Sequence, residues 1–377
     1  MAAGVPVQVL AIGPGRRPDL AGRVAGLPEP VYLGGKNRTP VRSGAGRGKI
    51  DTAALLREVA GDMARLAGHP RRSARALRLA VYARRAAAHL PAGSLRLHAH
   101  FANDAAVLAR YLAVAAGVRY TVTAHAYDIY SDPYLLAPNL AAATLVFTVS
   151  RANMNYLEAG AAAGGWDAGR LRLLHCGLEL DRLPYRDPQP PAAPANIICI
   201  ARLVPKKGHL VLLDAVARMQ AAGRRLHLTL VGEGPGEAAL KESVSRLGLE
   251  DQVSLLGALD NQATLAALRP ADLCVLAARV AADGDRDGLP VVLMEAAALG
   301  IPLVATRVGG IPELVDEACG WPSPPDDPQA LADAMTASLD GEAAERTART
   351  RLARRRIEEQ FNVTGQVDAL TASDLWD

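Results

Sequence analysis

Residues 287–306, "DGLPVVLMEAAALGIPLVAT", contain a turn, a helix and a strand in the order that builds parallel α/β sheets. Leu289 and Pro290 begin the helix, because proline is favoured in its first turn, and Gly300 ends it. The helix is apolar except for Glu295, and a buried carboxylate is costly unless hydrogen-bond donors meet it. The stretch therefore predicts an α/β fold and marks Glu295 as a residue that contacts a ligand.

Strand and helix patterns of this kind alternate along the whole chain, with a break at the proline-rich residues 185–196, "YRDPQPPAAPAN". The clearest strand candidates are "VQVLAI", "LRLHAHF", "YTVTAHA" and "TLVFTVS" before the break, and "NIICIA", "LHLTLVG", "QVSLLG", "DLCVLA" and "IPLVAT" after it. The sequence predicts two doubly wound, Rossmann-like domains that face a cleft. The first spans residues 1–190 and the second 191–356, with 357–377 packing back toward the first.

The charge is distributed unevenly. Residues 1–190 contain 24 Lys and Arg against 13 Asp and Glu, a net charge of +11, whereas 191–377 contain 18 against 26, a net charge of −8. A basic first half is expected to face something anionic. Aromatic residues make up only 4% of the chain, which argues against nucleic acid as a partner. The four cysteines lack CxxC spacing and indicate reduced thiols in a cytoplasmic protein.

Residues 71–88, "RRSARALRLAVYARRAAA", hold six arginines around an Ala/Leu/Val stripe. One interpretation is a helix with a solvated basic face. The other is a basic amphipathic helix that rests on an anionic membrane surface, which would place the protein peripherally on the inner face of the plasma membrane.

Charged residues cluster at the predicted strand ends of the second domain. Asp287 and Glu295 lie on either side of a helix N-terminus, where free N–H groups favour phosphate, and carboxylates accept hydrogen bonds from hydroxyls. Arg202 and Lys207 follow the strand "IICIA", and both side chains bind phosphate groups. The plainer interpretation makes Asp287 a helix cap, Glu295 an exposed helix residue and the two basic residues isolated surface charges. Their position at strand ends favours a site for a polyhydroxy ligand that carries a pyrophosphate.

Three other ligand patterns are weaker. "DGDRDG", residues 283–288, begins like a calcium loop, but its glutamate comes one position late. "LVGEGPGE", residues 230–237, breaks the spacing of a dinucleotide fingerprint, and a tight turn explains it. No convergent zinc ligand set can be named around His98, His100 and His125. We therefore expect no bound metal and no nicotinamide cofactor, while His125, at the end of a strand, points toward the cleft.

Taken in order, these motifs resemble the family 4 glycosyltransferases, retaining enzymes of the GT-B fold. "DGLPVVLMEAAALGIPLVATRVGGIPELV" is similar to the family's E-x7-E segment and its following Gly-Gly loop, and "ARLVPKKGHLVLLDAV", "LVGEGPGEAALKE" and "VSLLGAL" match further landmarks. "LHAHFANDAAVLARYLA" and "TAHAYDIY" resemble the bacterial exopolysaccharide subgroup, which includes colanic-acid-type enzymes. The resemblance covers the greater part of the chain, from "LRLHAHF" to the last long helix.

The resemblance implies a donor site in the second domain. Glu295 would bind the ribose hydroxyls of the nucleotide, and Arg202 and Lys207 would bind the diphosphate. Leu259 would lie where the backbone meets the base.

The resemblance also implies residues near the reacting sugar. Asp287 stands where the family has its first glutamate, which contacts hydroxyls of the donor sugar, and is one methylene shorter. His125 matches the family histidine near that sugar. Gly288 and Leu289 begin the helix whose N-terminus stabilises charge on the departing diphosphate. This arrangement requires neither a metal ion nor another cofactor.

The implied function is transfer of a sugar from a nucleotide diphosphate to a growing, lipid-linked bacterial surface glycan, with retention of anomeric configuration. Two alternatives stay open. One is a non-catalytic nucleotide-sugar-binding partner in glycan assembly, and the other is a sugar-nucleotide epimerase of the same fold.

The first residues depart from the family pattern, in which a strand, a glycine-containing loop and a helix precede the second strand. "AAGVPVQVLAIGPG" resembles the end of that helix and the second strand, which predicts a first domain that lacks about thirty family residues. The alternative makes "VQVLAIG" the first strand and "PGRRP" its loop.

Overall fold

The computed structural model describes residues 10–11, 31–32, 50–90 and 96–372. Contacts divide the chain into two compact units. The first unit takes in the described residues of Met1–Thr148 together with Asn155–Arg172, and the second contains Val149–Met154 and the described residues of Leu173–Asp377. The predicted limits at residues 190 and 356 stay predictions.

The first unit contains a parallel sheet covered by helices. Strands β3 (Arg96–His100), β4 (Arg119–Ala124), β5 (Val146–Thr148) and β6 (Leu171–Leu173) lie in the order β3-β4-β5-β6, and a separate parallel pair joins β1 (Leu10–Ala11) and β2 (Val31–Tyr32). The helices are α1 (Thr52–Arg65), α2 (Pro70–Ala86), α3 (Asp104–Ala116), α4 (Leu136–Ala142) and α5 (Arg151–Gly164). The predicted strand "VQVLAI" is described only at Leu10–Ala11, and the predicted loop "PGRRP" lies outside the described residues.

Helices α1, α2 and α3 form the core of the first unit. Leu79 and Ala83 of α2 are completely buried in one apolar cluster with Val107 and Tyr111 of α3. The charged side chain of Arg110 is also buried there, and it donates hydrogen bonds to Asn139 (3.0 Å) and to the carboxylates of Glu58 and Asp62. A buried guanidinium is tolerated because each of its nitrogens has a partner.

The second unit contains a six-stranded parallel sheet in the order β12-β11-β10-β7-β8-β9. Its strands are β7 (Ala195–Ile200), β8 (Leu226–Val231), β9 (Val253–Leu255), β10 (Leu273–Leu276), β11 (Leu303–Thr306) and β12 (Trp321–Ser323). Its helices are α6 (His209–Ala221), α7 (Glu237–Leu247), α8 (Asn261–Leu268), α9 (Val291–Leu299), α10 (Pro328–Asp340), α11 (Ala343–Gln360) and α12 (Val363–Ala372). The strand order reverses between β7 and β10, where ligands bind in doubly wound sheets.

Residues 287–306 form the predicted turn, helix and strand. Helix α9 begins at Val291 with Pro290 as its N-cap residue, and Gly300 ends it in the left-handed conformation, with φ of 84°. The strand that follows is β11, whose residues are all buried. The predicted fold class, α/β with two Rossmann-like domains, is confirmed by the two parallel sheets.

Two further expectations concern the cysteines and the helices. All four cysteines are free, and Cys199, Cys274 and Cys319 are buried. Across the part of the chain that the structure describes, no helix combines the length and apolar character needed to cross a membrane.

Candidate functional site

The loops at the carboxyl ends of the strands in the second unit carry most of the predicted site residues. Arg202 and Lys207 follow β7, Leu259 follows β9, and the turn at 287–289 follows β10 and leads into α9. Because β10, β7, β8 and β9 are consecutive neighbours about 4.8 Å apart, these loops emerge side by side at one edge of the sheet. Parallel pairing thus brings together residues from three separate parts of the chain.

Glycines let two of these loops pack closely on their neighbours. A Cβ on Gly208 would lie 1.7 Å from the carbonyl oxygen of Ala277, just past β10, and a Cβ on Gly232 would lie 2.0 Å from that of Ala201. Both glycines also have positive φ, 66° and 139°. The glycines of "LVGEGPGE" are therefore explained by close backbone approach, in agreement with the tight turn preferred over a dinucleotide fingerprint.

Two lysines and two aspartates form a compact charged cluster between the loops after β7 and β10. The Lys207 ammonium donates to the Asp287 carboxylate at 2.7 Å. The Lys206 ammonium, which is buried, donates to Asp285 at 2.9 Å and lies 3.7 Å from Asp287. Asp287 is therefore a buried carboxylate shared by two lysines, which fix its position.

The charge cluster bears on the calcium-loop alternative and on the helix-cap interpretation of Asp287. Asp285 and Asp287 form ion pairs with Lys206 and Lys207. The geometry of this loop therefore gives the calcium alternative no support. No side chain caps α9, whose N-cap residue is Pro290, so Asp287 does not serve as its cap.

The turn at 287–288 is held by the Gly-Gly loop after β11. Gly310 donates its N–H to the carbonyl oxygen of Gly288 at 2.5 Å. A Cβ on Gly309 would lie 1.9 Å from the carbonyl oxygen of Asp287, and one on Gly310 would lie 2.5 Å from that of Gly288. Glycine is thus required at positions 309 and 310 so that this loop can contact the turn at 287–288.

Glu295 lies on α9 and is partly buried. Within the described residues its carboxylate has no hydrogen-bond or ion-pair partner, and partial burial raises the pKa of this group. Burial raises the pKa of the Cys274 thiol in β10, and the nearby Cys199 and Glu295 raise it further. Burial also raises the pKa of Cys199 in the adjacent strand β7, where the charge of Lys207 lowers it. Glu295 and Lys207 therefore lie near the same pair of central strands, and the carboxylate is available to a ligand.

The remaining residues of the predicted donor site are less constrained. Arg202 is exposed, and no partner for its guanidinium occurs among the described residues. Leu259 is half-buried against the core, immediately before the Asp260 carboxylate that caps α8. Leu289 is buried at the start of α9, and Gly288 is half-buried beside it.

His125 belongs to the first unit and follows β4. Its Nε2 lies 3.1 Å from Nε2 of His100, and its ring centroid lies 4.5 Å from that of Phe101. Partial burial lowers the pKa of His125 to about 4, so the ring is neutral at physiological pH. His98 instead bonds two hydroxyls of β4, through Nδ1 to Thr121 (2.8 Å) and through Nε2 to Thr123 (3.1 Å).

Sequence reasoning missed Lys206 and Phe101. Lys206 is adjacent to Lys207, and nothing in "VPKKGH" tells which lysine is buried. Phe101 follows the alternating histidines of "LHAHF", but its unusual backbone conformation, with φ of 85°, leaves no mark in the sequence.

Comparison with known proteins shows what the chain is similar to. Residues 194–341 match the family model "Glycosyl transferases group 1". The chain is 36% identical over 206 residues to the Escherichia coli (strain K12) protein named "Putative colanic acid biosynthesis glycosyltransferase WcaL", covering 52% of this chain and 51% of that protein. It is 33% identical over 201 residues to the Erwinia amylovora "Amylovoran biosynthesis glycosyltransferase AmsK", covering 53% and 49%. The chain thus spans about half the length of the curated relatives it matches.

A solved structure shows the same fold. The crystal structure of Anabaena Alr3699/HepE in complex with UDP and glucose matches with a TM-score of 0.59 at 22% identity, covering 71% of this chain and 74% of that one. Residues 194–341 are therefore a glycosyl transferases group 1 domain, and the resemblance to glycosyltransferases of exopolysaccharide biosynthesis is confirmed.

Proposed function

We propose that this chain, whose residues 194–341 form a glycosyl transferases group 1 domain, transfers a sugar from a nucleotide diphosphate to a growing bacterial surface glycan with retention of configuration. The observation that carries the proposal is the partly buried carboxylate of Glu295, which has no partner among the described residues and lies near the same pair of central strands as Lys207. An acid that accepts from a diol and a base that binds phosphate match the two ends of a nucleoside diphosphate.

The donor would be held by groups of the second unit. Glu295 accepts hydrogen bonds from the ribose hydroxyls, because a partly buried carboxylate that has no partner within the described part of the chain gains most from them. Lys207 and the exposed Arg202 bind the diphosphate, and Leu259 lies where the backbone meets the base. The relatives named for colanic acid and amylovoran biosynthesis, and the UDP bound to HepE, support a nucleotide-sugar donor.

The chemical step would use preorganised positive charge. Negative charge develops on the diphosphate as the glycosidic bond breaks, and Lys207, Arg202 and the N–H groups that begin α9 near Gly288 and Leu289 stabilise it. Asp287 contacts the donor sugar, and its two lysine partners hold it in place. Neutral His125 contributes a hydrogen bond to the reacting sugar. The proposed step requires no metal ion or further cofactor.

The acceptor would be lipid-linked and would reach the protein at an anionic membrane surface through α2. One face of α2, including Leu79 and Ala83, is used in the core, so only the opposite face is available. Leu77 and Val81 on that face are each 51% exposed, and Arg78 and Arg85 beside them are exposed as well. Apolar side chains flanked by arginines suit the boundary of an anionic bilayer.

Nucleotide release tests the enzymatic proposal. The protein is incubated with a panel of UDP-sugars and GDP-sugars, and free nucleotide is measured for wild type, Glu295→Ala and Lys207→Ala. Each substitution is expected to reduce release at least tenfold, since each removes a charged hydrogen bond worth about 1.5–3 kcal/mol. The controls are Glu250→Ala and Lys241→Ala, which change exposed charges of the same unit. Unchanged turnover in both site variants contradicts the assignment.

Vesicle flotation tests the membrane proposal separately. Wild type is expected to float with phosphatidylglycerol vesicles and not with phosphatidylcholine vesicles. Leu77→Glu and Val81→Glu together should abolish flotation, whereas Leu210→Glu, at a residue 49% exposed on the second unit, should not. Equal flotation of all variants would show that the outer face of α2 is simply solvated.

A further inference from the structure

Phe101 has a backbone conformation that a bulky residue seldom adopts. It follows β3 directly, and its φ of 85° lies in the left-handed region. A side chain that begins with a Cβ is strained there, and such outliers cluster at functional sites, where surrounding structure enforces them.

Hydrogen bonds on both sides enforce this conformation. Phe101 donates its N–H to the carbonyl oxygen of Thr123 at 2.9 Å. The next N–H, that of Ala102, is bound by the buried carboxylate of Asp128, and Asn139 donates to the carbonyl oxygen of Ala102 at 2.9 Å. The backbone of the strained residue is therefore held between a strand and two buried polar side chains, so the ring is attached to a fixed backbone position.

The ring is exposed although it is apolar. The chain has three phenylalanines, and Phe147 and Phe361 are only 2% and 0% exposed, whereas Phe101 is 40% exposed. Burial of a phenylalanine is favourable, so exposure is a second cost in addition to the strained backbone. The fold accepts both costs at one residue.

Phe101 forms part of an uncharged aromatic surface. Its ring centroid lies 4.5 Å from that of His125 and 5.3 Å from that of His100, and the two imidazoles share a hydrogen bond between their Nε2 atoms. Desolvation lowers the pKa of both histidines, that of His125 to about 4, which favours the neutral form of both rings. Within the described part of the chain neither Nδ1 has a hydrogen-bond partner.

We propose that Phe101, supported by His100 and His125, is a stacking platform for a sugar ring of the acceptor glycan. One face of a pyranose consists of C–H groups, which pack on the negative face of an aromatic ring, while the hydroxyls at its edge meet the imidazole of His100. A neutral surface suits an uncharged sugar better than a phosphate. We assign the acceptor, because Phe101 belongs to the first unit and the residues proposed for the donor's diphosphate and ribose belong to the other. His125, proposed above to bond the reacting sugar of the donor, only supports the Phe101 ring here.

This inference rests on the proposed function for the identity of the ligand, but its test needs no donor and no turnover. Saturation-transfer-difference NMR is recorded with methyl glycosides of β-galactose, β-glucose and α-mannose as probes. For wild type, at least one glycoside is expected to give its strongest signals from the ring protons of a single apolar face. Phe101→Ala and Phe101→Leu should weaken binding about tenfold, whereas Phe101→Trp should restore most of it.

Two controls make the result decisive. Tyr156→Ala removes another aromatic side chain of the first unit, 50% exposed, and should leave binding of the glycosides unchanged. Phe101→Leu keeps apolar volume, so it separates loss of the aromatic face from a folding defect, which circular dichroism would reveal. The inference is overturned if no glycoside binds wild type, if Phe101→Leu binds normally, or if Tyr156→Ala loses as much affinity. Nucleotide release that fails while Phe101-dependent binding persists would count against the transferase alone.

Discussion

Replacement of Gly208 by alanine is expected to destabilise the second unit through a steric clash that can be isolated experimentally. Gly208 has φ of 66°, and a Cβ there would lie 1.7 Å from the carbonyl oxygen and 2.8 Å from the carbonyl carbon of Ala277. The left-handed conformation costs alanine about 1–2 kcal/mol, partly offset by about 0.4–1 kcal/mol through the unfolded chain. Forcing a methyl group against fixed backbone adds about 1–3 kcal/mol. The total loss is about 1–5 kcal/mol.

Gly248 provides the matched control. It has nearly the same φ, 64°, and ends α7 in the same unit, but nothing lies within 4 Å of the position of its Cβ. Gly248→Ala should therefore cost about 1 kcal/mol or less, since only the conformational term remains. Urea unfolding followed by circular dichroism measures both variants. Equal losses of unfolding free energy in the two would refute the argument that the loop after β7 is pressed against the end of β10.

Three charged groups give further predictions. Glu295→Gln removes a partly buried charge that has no partner among the described residues and whose pKa is raised. It should stabilise the ligand-free protein above pH 4.5, the ordinary pKa of this side chain, while the affinity for UDP or GDP falls about tenfold or more. Thermal melts and calorimetry check both effects, and a loss of stability would contradict the argument. Lys206→Met leaves Asp285 without its cation and should lower the free energy of unfolding by about 3 kcal/mol. The double variant with Asp285→Asn should recover part of this loss. Additive losses would show that the pair is not coupled. Burial raises the pKa of Asp128 from 3.8 to about 6, so between these pH values the folded protein keeps a proton that the unfolded protein has lost. Wild type should therefore lose stability relative to Asp128→Asn as the pH rises through that window. A constant difference in melting temperature between the two proteins would refute this.

Much of the donor-side site could be predicted from local patterns. Arg202, Lys207 and Asp287 lie at the carboxyl ends of parallel strands because the alternating pattern specifies which end of each strand leads into a helix. The start of α9 was predicted to within one residue, since Pro290 and Gly300 mark its two ends in the sequence. The proposed roles of these residues stay predictions until nucleotide binding is measured.

Other features depend on distant backbone and could not be predicted. The sequence shows Lys206 and Lys207 as equivalent neighbours, and only the packing of the loop after β7 on the end of β10 buries Lys206 against Asp285. The apolar stripe in residues 71–88 predicts a helix that is either solvated or bound to a membrane surface, and it does not tell which apolar residues are buried: α2 buries Leu79 in the core and exposes Leu77. A helix with apolar residues on both faces does not indicate which face meets its neighbours.

The sequence by itself determined the α/β class, the glycosyltransferase resemblance and the edge of the sheet where charged loops gather, because periodicity, proline and glycine act over a few residues. Only the tertiary structure decided that Asp287 is shared by two lysines, that Glu295 has no protein partner among the described residues, and that Phe101 is held in a strained conformation. These features arise from contacts between segments far apart in the chain, where the position of each backbone is set by the sheet and not by its own residues.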